Sequence, residues 1–243
     1  PIYNKYVDNE FRLLILLGSR IVMSHSPKFD QLFKEINHFY RYPEMLPFVG
    51  KHYESAGHKK ILVLGESNYL PKGSTVSLDA EKWYGGSSCK LNINEKKHIS
   101  NIGLVNSGKN QKWKKGGHYM YKNIESCLIA SGIKKEINSM SHIAYINGFF
   151  RPAIDGCSIK KIHKELDTKK SIEVINKVIS IVKPDIVLIA SIFTDSQVKK
   201  HLEHNNIEYT CHPLAHFYWQ RKGYKNGKLK FEKIISRQVT SDS

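Results

Sequence analysis

The chain has 243 residues, enough for one α/β domain with a sizeable core, and carries 38 Lys and Arg against 22 Asp and Glu. The resulting net charge of +16, with a pI near 9.6, favours a polyanionic partner, nucleic acid first, over an acidic or neutral one. Its four cysteines (Cys89, Cys127, Cys157, Cys211) stand far apart without a CxxC pair, which argues against zinc and iron–sulfur sites and for a reduced, cytoplasmic protein. No apolar run reaches membrane-spanning length and no signal peptide opens the chain, so no membrane partner is expected.

In chain order, residues 9–23 carry Phe11, Leu13, Leu14, Ile15, Leu16 and Leu17 and predict a packed helix. A second helix is predicted over Phe29 to Tyr40, where Phe29, Leu32, Phe33, Ile36 and Phe39 recur at three- and four-residue spacing. Pro43 and Pro47 break the chain. The stretch Pro47 to Tyr53 then leads into Ile61-Leu62-Val63-Leu64-Gly65. That short apolar run, with Lys59-Lys60 before it and Gly after it, reads as a strand buried on both faces. Its carboxyl end releases Glu66, Ser67, Asn68 and Tyr69 together, where ligands sit in open parallel sheets.

Hydrophobic periodicity fades from Leu70 to Gly117, which predicts a long functional or mobile segment without clear structure. Within it, Lys109, Lys112, Trp113, Lys114 and Lys115 combine basic residues with an aromatic, a pattern suited to phosphate contacts and base stacking. Gly103 to Lys109 matches the first half of a phosphate-binding loop. Asn110 replaces the magnesium-binding Ser or Thr, and no buried strand precedes it, so that reading is rejected.

Order returns with a helix near Met120 to Ser131 and a strand His142 to Phe150, ended by Arg151-Pro152. A helix over Ser171 to Val182 stops at Lys183-Pro184, and Asp185 to Ser191 is the third strand. Asp195 to Asn205 reads as a helix and Ile207 to Cys211 as a fourth strand, running into His212-Pro213. The close is aromatic and basic, from Phe217 to Lys222, with a further helix near Phe231 to Gln238. Strands separated by helices imply parallel βαβ units: a three-layer αβα sandwich around a central four-stranded parallel sheet. With no repeat or linker, residues 1–243 are expected to form one domain, the N-terminal helices (1–45) packed on it.

Polar groups thus gather at three strand ends: Glu66 to Tyr69, Asn147 with Phe149 and Phe150, and His212. The third strand's end, Ala190-Ser191, reads as structural. Amide, aromatic and imidazole together suit a pocket for a planar polar ligand.

The ordered set, a strand with Gly-Glu-Ser-Asn-Tyr, a strand with Asn and aromatics, a strand, then a strand with His-Pro, resembles the uracil-DNA glycosylase superfamily over roughly residues 44–222. It also looks like a bacterial branch of that superfamily with a Gly-Glu-Ser-His-Tyr type first motif. The resemblance implies a uracil-DNA glycosylase-like fold, DNA as partner, no cofactor, and a monomer. It implies that Gly65 to Tyr69 position water under the sugar, with Glu66 or Asn68 orienting it. Asn147 would read a flipped pyrimidine, Phe149 or Phe150 stack on it, and His212 stabilise the departing anionic base. Leu214 to Trp219, with Leu214 and Phe217, would press into the duplex. Lys109, Lys112, Lys114, Lys115, Arg151 and Arg221 would follow the phosphates.

Departures are specific. Ser67 stands where the uracil enzymes place a water-activating Asp, the first-motif Pro is absent, and Leu214 follows His212-Pro213 in place of Ser. Gly148 after Asn147 leaves room for a bulky base substituent, whereas Tyr69 aligns with a tyrosine that excludes one. The expectation is a DNA glycosylase acting on a modified pyrimidine, for example glucosylated hydroxymethylcytosine in phage DNA. Uracil excision and a catalytically silent nucleic-acid-binding module are the alternatives. A metal-dependent hydrolase built on His201, His204, His212 and His216 is weaker, because i, i+3 histidines without a carboxylate are a poor ligand set.

Overall fold

The computed structural model describes residues 24–55, 58–85, 89–110, 119–130, 139–154, 157–202 and 207–211, the last strand and positions 109, 110, 119 and 130 by their backbone. The strands are β1 (Phe48–Val49), β2 (Ile61–Gly65), β3 (Tyr69–Leu70), β4 (Ile143–Asn147), β5 (Ala153–Ile154), β6 (Ile186–Ile189) and β7 (Glu208–Cys211). The helices are α1 (Asp30–Lys34), α2 (Asn37–Arg41), α3 (Ala80–Tyr84), α4 (Ile93–Ile99), α5 (Asn101–Asn110), α6 (Tyr119–Ala130), α7 (Glu165–Val182) and α8 (Ile192–Val198).

Five strands form one sheet in the order β1-β4-β2-β6-β7. β4, β2, β6 and β7 are parallel, but β1 runs antiparallel to β4, pairing Phe48 with Tyr145 and Val49 with Ala144. The sheet is therefore mixed, correcting the all-parallel expectation. The physical reason is edge protection: without β1, the outer backbone groups of β4 have no ladder partner. Gly50 permits the approach, because a Cβ there would strike the Ser141 backbone. A separate parallel pair joins Tyr69 to Ala153 and Leu70 to Ile154.

Alternation sorts the buried strand residues onto two faces. Leu62, Leu64, Ala144, Ile146, Val187 and Ile189 share a core with Phe33 and Phe39 of the N-terminal helices and Val174, Ile175, Val178 and Val182 of α7. Ile61, Val63, Ile143, Tyr145, Ile186 and Leu188 pack with Val105, Tyr121, Ile124, Cys127 and Leu128. Helices thus cover both faces, as long apolar strand runs require. No helix among the described residues is long and apolar enough to cross a membrane.

Two expected elements are corrected. The helix over Phe29 to Tyr40 is two helices, broken where Ile36 turns extended with ψ 119°. The periodicity survives because Phe33, Ile36 and Phe39 all enter one core. The segment from Leu70 onward holds α3, α4 and α5. Its first two helices are signalled by caps: Asp79 accepts from Lys82 N–H, and Asn92 and Glu95 form a reciprocal capping box. Gly103 to Lys109 lies inside α5, so its backbone is helical and forms no phosphate loop. The helix expected over 9–23 lies outside the described residues.

Arg151, expected on DNA, is instead fully buried. Its Nε and Nη2 donate to Asp167 at 2.8 and 2.6 Å, Nη1 donates to the carbonyls of Ser77 and Leu78, and Nη2 also donates to that of Ile162. Asp167 also accepts from Lys164 N–H, fixing the start of α7. The guanidinium therefore clasps three segments and has no donor left for a phosphate. Arg151→Ala leaves Asp167 buried and unpaired. It is expected to lower unfolding stability by about 3–5 kcal/mol, read from denaturant midpoints.

His38 lies among Phe39, Tyr42, Tyr84 and Phe150, and burial, then Arg41, pushes its pKa down to about 3. The unfolded chain takes up this proton near pH 6.5, whereas the folded core refuses it until about pH 3. Its contribution is complete above pH 6.5 and lost as pH falls through that window. Unfolding free energy should fall by about 1.4 kcal/mol per pH unit from this group there, and His38→Phe should flatten that slope.

Candidate active site at the carboxyl ends of the strands

The chain leaves β2 for β4 on one side, then crosses to β6 on the other. Connections diverge there, so the crevice beyond the carboxyl ends of β2 and β6 is the topological switch point. Glu66, the first residue after β2, stands in it, partly exposed.

Two serines hold the Glu66 carboxylate. Ser158 Oγ donates to Oε1 at 2.6 Å and Ser191 Oγ to Oε2 at 2.8 Å. Each serine also caps a helical turn, Ser158 accepting from Lys160 N–H at 3.2 Å and Ser191 from Thr194 N–H at 3.3 Å. With a lone pair of each hydroxyl engaged by backbone, the hydroxyl protons point at Glu66. Both carboxylate oxygens keep further acceptor capacity for water or a substrate hydroxyl. Tyr69, which opens β3 and is 43% exposed, has its pKa raised by burial, then by the Glu66 charge, which keeps the phenol protonated.

Ser191, read as structural from the sequence, is thus part of the site. Its helix-capping position after a buried run was a legible signal of placement, not of partner. Ser158 carried no sequence signal, since 92 residues separate it from Glu66.

Behind the crevice lies a buried amide network. Asn147 Nδ2 donates to Asn68 Oδ1 at 2.8 Å and Asn101 Oδ1 at 3.2 Å, while its Oδ1 accepts from Tyr145 OH at 2.8 Å. Asn68 Nδ2 donates to Ile99 O and Asn101 Oδ1, and Asn101 Nδ2 to the carbonyls of Met45 and Leu46. These contacts correct two expectations. Both Asn147 amide donors are engaged within the protein, not offered to a base, and Asn68 ties the loop down in place of orienting water. Asn101 was missed. Gly65 is required here, because a Cβ would collide with Asn147 Oδ1 and lie 2.5 Å from Tyr145 OH.

Phe149 and Phe150, expected to stack on a base, are core residues. Phe149 stacks on Phe193 and meets His163 edge-on, and Phe150 packs on Phe39 and His38. Ser67 is buried, and its hydroxyl has no partner among the described residues. His212, Leu214, Phe217, Arg221, Lys112, Trp113, Lys114 and Lys115 lie outside the described residues, as does the side chain of Lys109. So do His204 and His216; among the described residues no three His, Cys, Asp or Glu side chains gather as a metal set.

Gly148 is also reinterpreted. A Cβ there would collide with Thr194 Cγ2 and lie 3.1 Å from Gly65 O, so packing against α8 demands glycine and opens no pocket. Thr194 Oγ1 meanwhile donates to Gly65 O at 3.0 Å.

Set against known proteins, the chain matches no family model and no curated sequence at a significant level.

Gly148→Ala is expected to cost about 1–3 kcal/mol through overpacking. Thr194→Ser removes the colliding methyl while keeping the hydroxyl, so the double variant should regain part of that loss in a double-mutant cycle of unfolding free energies.

Proposed function

We propose that this protein is a DNA glycosylase that hydrolyses the N-glycosidic bond of a flipped pyrimidine nucleotide, leaving an abasic site. The observation that carries the reading is the Glu66 carboxylate at the switch point of a parallel sheet, held by two hydroxyl donors in a chain of net charge +16. Cleavage of this bond develops cationic character on the sugar and negative charge on the leaving base. A fixed carboxylate beside the sugar offsets the first and accepts a proton from attacking water. Asn68 and Asn147, engaged with one another, hold the loop that carries Glu66. Tyr69 is the aromatic exposed at the site and takes the base-facing position first expected of Phe149 or Phe150. By the family resemblance, His212 stabilises the departing base. The finer fold reading, a uracil-DNA glycosylase-like αβα sandwich, is supported by the helices on both faces and the motif order.

Among bases, we favour a modified pyrimidine such as glucosylated hydroxymethylcytosine in phage DNA, a role in antiviral defence. Its support is the departure of the first motif from the uracil pattern at Ser67; Gly148 packs against Thr194 and lends it none. Uracil excision in repair is the alternative base assignment. A second reading, a silent nucleic-acid-binding module, is favoured by the internal engagement of Asn68 and Asn147.

The test is a glycosylase assay on labelled DNAs containing uracil, thymine mispairs, hydroxymethylcytosine or its glucosylated form, single- and double-stranded, with alkali to reveal abasic sites. One substrate is expected to yield product, and Glu66→Gln to slow excision by about 10²–10⁴-fold while DNA binding is retained. Product from none, with salt-sensitive DNA binding intact, replaces the enzyme with the binding module.

A further inference from the structure

We propose that the turn Ser158–Lys161 is a phosphate contact of the bound nucleic acid, presenting Lys160 and Lys161 to the backbone beside the scissile nucleotide. The inference rests on the nucleic-acid reading of the Glu66 site but not on catalysis there.

Ile159–Lys161 forms a single 3₁₀ turn capped by Ser158, the residue that also donates to Glu66. The turn is built rigidly. Ile159 is fully buried in the core, Cys157 N–H donates to Ile154 O at 2.9 Å, and the buried Arg151 donates to Ile162 O. On this base Lys160 and Lys161 are exposed, their backbone tied through one serine to the carboxylate.

Neither lysine makes an ion pair among the described residues, which holds for other exposed lysines such as Lys51, Lys97 and Lys200 as well; what sets these two apart is the turn that carries them, whose serine donates to Glu66. Two unpaired, exposed cations next to a functional carboxylate suit a polyanion's backbone better than a solvated face. The electrostatics also demand such a group. Glu66 repels the phosphates flanking any nucleotide it approaches, and cations close to those phosphates offset that repulsion. Parallel pairing of β3 with β5 brings the segments that follow both strands out at the same end, where Lys72 is also exposed.

The experiment measures binding of unmodified duplex and single-stranded oligonucleotides across a salt series. It compares the unaltered protein, a Lys160→Ala/Lys161→Ala variant, and a Lys177→Ala control on the outer face of α7. Each lost phosphate contact removes about 0.9 from the slope of log K against log salt on duplex and about 0.7 on single strands. The double variant is therefore expected to be shallower by about 1.8 on duplex and about 1.4 on single strands, with the control unchanged. A double variant whose slope equals that of the unaltered protein, when that protein binds with steep salt dependence, overturns this inference alone. An unaltered protein that binds neither DNA overturns the nucleic-acid reading and the inference together.

Discussion

Three buried side-chain amides close the carboxyl end of this sheet, and the geometry of the site depends on them. Asn147 ends β4, Asn68 follows β2, and Asn101 opens α5, yet each satisfies another. An amide left unpaired at such depth costs about 1–3 kcal/mol, so the three hold one another's backbones in place. Gly65 is the small residue that lets them meet. With Asn68 drawn inward to this network, Glu66 is left at the crevice between β2 and β6. The polar loop after β2 thus divides into buried Ser67 and Asn68 and a partly exposed Glu66.

The outward half is organised by the same economy of hydrogen bonds. Ser158 and Ser191 each accept from a backbone N–H at the start of a helical turn and donate to Glu66. Two segments remote in sequence therefore converge on one carboxylate, one of them through a turn that carries exposed lysines. Beneath them, Arg151 and Asp167 lock the start of α7 and the 77–78 segment to the strand end. The strand-end region thus holds a buried charged clasp, a buried amide network and a carboxylate held by hydroxyls. Arg151, Asp167 and the three asparagines are buried, and Glu66 alone of these groups is partly exposed.

Much of the fold was legible because its signals are local. Three of the four parallel strands, β2, β4 and β6, are largely apolar runs with charge, His or Gly beside them, and α7 announces itself by Ile172, Val174, Ile175, Val178 and Ile179. Glu66 at a strand end was legible for the same reason. α3 and α4 were not, since one or two turns cannot establish a helical period and their caps were the only sign. The antiparallel edge strand was hidden because a two-residue strand exists only through its partner.

By itself the sequence determined the α/β class, the basic charge and the strand end from which a polar loop emerges, each encoded within a short window of residues. Tertiary structure alone decided what those polar residues do. Asn147, Phe149, Phe150 and Arg151 follow one another closely and read as a binding motif. Their hydrogen-bond and packing partners, Asn68, Phe193, Trp83 and Asp167, come from other elements and turn them into structure. Ser158, which carried no sequence signal, and Ser191, which read as structural, travelled the opposite way and became the groups that hold Glu66. A polar side chain's role is set by which donors and acceptors reach it, and those arrive from across the fold.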